Sequence, residues 1–102
     1  MKKYETVVLN VLLDQYERSK SFTGKNVQNQ SFSKKITDLF PDYADEANFE
    51  LFSDVNSQMA SIEKKGLITV KRKKRGKIDT EVISAVTLDV DSLDRCYRIL
   101  GR

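Results

Sequence analysis

Six cations fall in the seven positions 71–77, as Lys71, Arg72, Lys73, Lys74, Arg75 and Lys77, with Gly76 the one uncharged position among them. At this density the chemistry on offer is electrostatic contact with a polyanion. Lysine brings a point charge suited to phosphate, whereas only Arg72 and Arg75 carry the planar fork that grips a base edge with two hydrogen bonds. The pattern predicts contact with double-stranded DNA that is dominated by phosphate, steeply salt-dependent and nearly blind to base sequence. The plainer reading is a solvated turn or a protein contact.

Other chemistries fare worse. The chain has no His and a single Cys, Cys96, so it can build neither a zinc finger, nor a histidine acid–base site, nor an intramolecular disulfide. Asp42, Asp45, Glu46 and Glu50 are clustered, but their spacing matches no calcium loop, and acids at a helix start are explained by the helix dipole. No glycine-rich phosphate loop and no nucleophile–base pair is present. The expectation is a protein without catalytic residue, metal or cofactor.

The basic run needs a scaffold, and its neighbours supply one. Leu67, Ile68 and Val70 before it, and Val82, Ile83, Val86 and Leu88 after it, have the β-branched and aliphatic content of two strands. They predict a hairpin with Arg75-Gly76 at the turn, since Gly accepts positive φ. A first helix is expected over Tyr4 to about Lys20, with Val7, Val8, Val11, Leu12 and Gln15 on one stripe that Leu9, Leu13 and Tyr16 widen. Lys25 to Gln30 has loop composition, and a short extended piece is possible at Ser31-Phe32. Ser33 is placed to cap a second helix through Lys34 to Phe40, which Pro41 stops.

A third helix is expected from about Asp45 to Lys65, with Phe49, Phe52, Val55, Met59 and Ile62 inward and Gly66 as its left-handed terminator. Asp91 would cap a fourth, whose inner face is Leu93, Cys96, Tyr97 and Leu100. Phe22 and Phe32, in polar surroundings, read as loop anchors rather than as contacts for another domain or subunit. The order helix, possible short strand, helix, helix, strand, turn, strand, helix is that of an α+β winged helix-turn-helix domain, with the basic tip as its wing.

Net charge sharpens the polarity. The total is +3, yet residues 36–63 carry seven acids and no base, and residues 64–78 carry eight bases and no acid. The acids Asp45, Glu46, Glu50 and Asp54 occupy the half of the third helix that a helix-turn-helix protein inserts into the major groove, where they would face phosphates. Either docking led by the wing or a fold used for protein contact follows, with Lys34 and Lys35 as added backbone contacts if they lie on the wing's side. With 102 residues the chain is sized for one domain. It has no apolar run of membrane-spanning length and no signal-peptide core, so a cytoplasmic protein without a membrane partner is expected.

The stretch Leu12-Leu13-Asp14-Gln15-Tyr16-Glu17-Arg18-Ser19, followed by Phe22-Thr23-Gly24, Phe40-Pro41-Asp42-Tyr43, Glu50-Leu51-Phe52 and Glu63-Lys64-Lys65-Gly66-Leu67-Ile68, resembles the N-terminal region of JetD. JetD is the nuclease subunit of the Wadjet anti-plasmid systems and works with a condensin-like, SMC-type complex. The resemblance implies that residues 1–102 are an N-terminal winged-helix fragment of a longer protein whose metal-dependent cleavage belongs to a C-terminal Toprim domain. No catalytic residue carries over. The implied partners are DNA, a second copy of the subunit, or the SMC-type complex. Two rival roles stay open: an interaction or dimerisation module, in which the acidic helix of one copy meets the basic hairpin of another, and a stand-alone transcriptional regulator.

Overall fold

The chain is described by a computed structural model covering residues 1–23, 32–74 and 81–102. Helix α1 spans Lys3–Thr23, strand β1 Ser33–Lys35, helix α2 Ile36–Leu39, helix α3 Phe49–Lys64, strand β2 Ile68–Lys74, strand β3 Glu81–Leu88 and helix α4 Leu93–Leu100. Single 3-10 turns, Glu46–Asn48 and Val90–Ser92, lead into α3 and α4. The strands form one antiparallel sheet in the order β1-β3-β2. The result is an α+β architecture of helices packed on a small sheet. None of the described helices is long and apolar enough to cross a membrane.

Helix α1 buries Val8, Leu9, Leu12 and Leu13, with Glu5 and the half-buried Tyr16 extending the same 3.6-residue face. This corrects the expected stripe by one position: Val7 is 37% exposed and Val11 only half-buried. The helix also runs past Lys20 to Thr23. Gln58 of α3 anchors its start, accepting at Oε1 from the Tyr4 and Glu5 N–H groups at 2.8 and 3.2 Å. At its other half Glu17 accepts from the Tyr97 hydroxyl at 2.9 Å, and Arg102 reaches Asp14 and Glu17. Burial, reinforced by the Glu17 carboxylate, pushes the Tyr97 hydroxyl up to about 12.

The segment expected to open the second helix is instead strand. Ser33, Lys34 and Lys35 pair with Thr87, Val86 and Ala85, so Ser33 is no helix cap; its hydroxyl hydrogen-bonds across the sheet to that of Thr87. Helix α2 is correspondingly a single turn, with Ile36 and Phe40 buried. Phe32, expected in a short extended piece with Ser31, directly precedes β1; it is buried edge-on to Tyr16 and its carbonyl accepts from the Leu88 N–H at 2.9 Å. The Phe32 anchor reading stands, whereas the Phe22 side chain, the Lys25–Gln30 loop and Ser31 lie outside the described residues.

Helix α3 buries Val55, Met59 and Ile62, but Phe49, expected in that stripe, is 73% exposed. The reason is the reach of α1. That helix starts level with Gln58 and runs toward α4, so it does not extend back to the first turn of α3. The α3 exit is as expected: Gly66 takes φ +77°, a left-handed conformation that glycine adopts without steric cost. Arg95 of α4 completes this end by donating to the Lys65 carbonyl at 2.9 Å. At the start of α4 the expected Asp91 cap is displaced two residues, because Asp89 accepts from the Asp91 N–H and opens the 3-10 turn. Cys96 is fully buried as a small core residue.

Candidate nucleic-acid interface

Strand periodicity decides which cations share a surface. In β2 the alternate residues Ile68 and Val70 turn to the helices, while Thr69, Lys71 and Lys73 are exposed on the opposite side. The pairing registers extend this face across all three strands. Ser33, Thr87 and Thr69 form one row, and Lys35, Ala85 and Lys71 form the next. With strands about 4.8 Å apart, Lys35 and Lys71 stand about 10 Å from each other, separated by a methyl group. Neither row contains an acid. The intervening row, Lys34, Val86 and Val70, belongs to the core face, so of the two β1 lysines only Lys35 joins the exposed basic surface.

Arg72 has a different fate. Its guanidinium donates to both oxygens of Glu63 near the end of α3, at 2.9 and 3.0 Å, so its fork is occupied within the molecule. The pair ties β2 to the end of α3. The Arg72 hydrogen bond, opposed by burial and aided by the charge and by the Val70 N–H, holds the Glu63 carboxyl below its ordinary value. Lys74 pairs in register with Glu81. The remaining sequence candidates, Arg75 and Lys77, and the proposed Arg75-Gly76 turn lie outside the described residues.

The lowered Glu63 carboxyl gives a pH prediction. A folded value below the unfolded one makes the contribution present above the ordinary 4.5 and lost as pH falls through the folded value. Because both side chains are about one-third exposed, the pair is worth about 0.5–1 kcal/mol. Glu63→Gln should lower stability by about that much at neutral pH, and the difference should shrink as pH falls below 4.5 and through the folded value, measured by urea unfolding.

The register slips by one between Lys71 and Arg72, which face Ala85 and Ile83, so Ser84 is an extra residue in β3. Such a bulge bends the strand and strengthens its twist. Beside it opens a cleft of ≈ 660 Å³ in which Lys35, Lys73 and Lys74 stand over a floor that includes Ile36, Val82 and Ile83. Tyr43 forms part of its wall. Neither this cleft nor the Lys35–Ala85–Lys71 row has a local sequence signal, since both depend on the register of strands distant along the chain. Among the described residues no group of His, Cys, Asp or Glu side chains is placed to hold a metal ion.

Comparison of the chain with protein-family models, with curated proteins and with solved structures returns no match.

Proposed function

We propose that this chain is a non-enzymatic winged-helix domain that contacts the backbone of double-stranded DNA through the outer face of its sheet and its basic hairpin. The observation that carries the reading is the placement of Lys35, Lys71 and Lys73 on one exposed face whose described strand rows hold no acid, while the acidic helix α3 packs on the other side of the sheet. Phosphates approaching the strands therefore meet lysines and the hydroxyls of Ser33 and Thr69 rather than Glu50 and Asp54. With Arg72 engaged by Glu63, the remaining described cations of β1 and β2 are lysines, which favours contact indifferent to sequence. The resemblance to the N-terminal region of JetD supports a role as the accessory arm of an anti-plasmid nuclease, with cleavage performed elsewhere.

Fluorescence anisotropy with a random duplex across a salt series tests this. If Lys35, Lys71, Lys73 and Lys74 each neutralise one phosphate, log K should fall against log salt with a slope of about −3.6, equally for duplexes of different sequence. No binding at low salt would reject the reading, and a strong sequence preference would favour a transcriptional regulator.

A further inference from the structure

We propose that Phe49 anchors a two-fold self-association, its ring seating in the lysine-rimmed cleft of a second copy. Such self-association does not require DNA contact by the outer sheet face. Phe49 is the most exposed large apolar side chain among the described residues, at 73%. It is not a loose one. Its ring stacks on Phe52 at 6.4 Å, and Phe52 stacks on Tyr43 at 5.1 Å. Tyr43 in turn is fixed through its hydroxyl to Asn56 and the Ile83 N–H. A ring already held outward loses little freedom on binding, which lowers the cost of association.

Charge selects the occupant. Exposed Asp45 and Glu50 flank Phe49 in sequence, presenting an apolar knob with an acidic border. The cleft is its complement: an apolar floor bordered by Lys35, Lys73 and Lys74, with no acid among the described residues that line it. A lysine over an aromatic face adds a cation–π attraction. A nucleic acid would engage only the lysines and leave the knob uncovered, and a basic partner would engage only the acids. A second copy satisfies both surfaces.

Position favours closure. Tyr43 lines the cleft and is two ring-to-ring steps from Phe49, so knob and socket are joined by one run of packed rings. A two-fold axis passing between them places each knob in the partner's socket, giving a self-complementary dimer rather than an open chain.

Sedimentation velocity on the whole chain, from micromolar to about 1 mM, reads this directly. The expected result is a monomer–dimer equilibrium whose dissociation constant rises about 30-fold or more in Phe49→Ala, with unchanged circular dichroism. Lys73→Glu should weaken the dimer similarly, and adding Glu50→Lys to it should restore affinity. This charge exchange carries the test if Phe49→Ala fails to fold. A monomer throughout the range, or a dimer indifferent to these variants, overturns the proposal. Duplex binding by Phe49→Ala, measured in parallel, separates the two readings: loss of the dimer with DNA affinity intact supports the knob while leaving the outer face to DNA.

Discussion

Replacing Lys71 and Lys73 together by glutamate should reduce affinity for duplex DNA by at least about 100-fold at low salt, taking about 1.5 kcal/mol for each charge-assisted hydrogen bond to phosphate that the pair of substitutions removes. The salt slope should halve, from about −3.6 to about −1.8. Both side chains are exposed on the outer sheet face and neither forms an ion pair among the described residues, so folding should be unaffected. The informative comparison is Lys64→Glu with Lys65→Glu, which changes net charge equally but at the end of α3. If the sheet face is the interface, that control should weaken binding only slightly. Equal losses in the two double variants would mean that DNA responds to overall charge and not to the surface formed by β1, β3 and β2.

The second large effect is expected at Tyr43, and it concerns stability. Its ring is 1% exposed; its hydroxyl donates to Asn56 Oδ1 and accepts from the Ile83 N–H at 2.9 Å. Ile83 adjoins the extra residue Ser84, and the Tyr43 hydroxyl gives its N–H a partner at the bulge. Burial, only partly offset by the hydrogen bonds to Ile83 and Asn56 and by Arg72, pushes the hydroxyl above its ordinary value and keeps it a donor. Tyr43→Phe strands the buried N–H and should cost about 2 kcal/mol, lowering Tm by about 10 °C. Tyr43→Ala also removes the ring on which Phe52 stacks and should cost about 4–5 kcal/mol, a large share of the about 5–15 kcal/mol that holds a domain of this size. Calorimetry distinguishes the two steps; a Tyr43→Phe variant as stable as the parent would show that the bulge does not need the hydroxyl.

Much of the architecture was legible because its signals are local. The β-branched runs around 67–70 and 82–88 became β2 and β3, and Gly66 ended α3 in the left-handed conformation. The inner face of α4 follows the spacing of Leu93, Cys96, Tyr97 and Leu100. Each of these depends on residues within a few positions of one another, so periodicity and capping chemistry suffice.

The misplaced elements share the opposite property. Ser33-Lys34-Lys35 has the composition of a helix start, yet β3 offers a free edge about fifty residues away, and the ladder hydrogen bonds outweigh a local cap. Phe49 continues the α3 stripe in one dimension, but the neighbour that would cover it, α1, begins too far along. Arg72 belongs by sequence to an uninterrupted basic run; only the approach of Glu63 removes it from the surface available to a polyanion.

The sequence by itself therefore determined the α+β element order, the poverty of catalytic and metal-binding chemistry in its residue types, and the segregation of acid from base along the chain. Tertiary structure alone decided how that charge is presented. Strand register aligned Lys35 with Lys71 across Ala85 and turned Lys34 inward, and the bulge at Ser84 opened the cleft beside Lys73. The physical reason is that a strand alternates its side chains with period two, so which cations share a face is fixed by pairing between distant segments, and a shift of one residue reverses it.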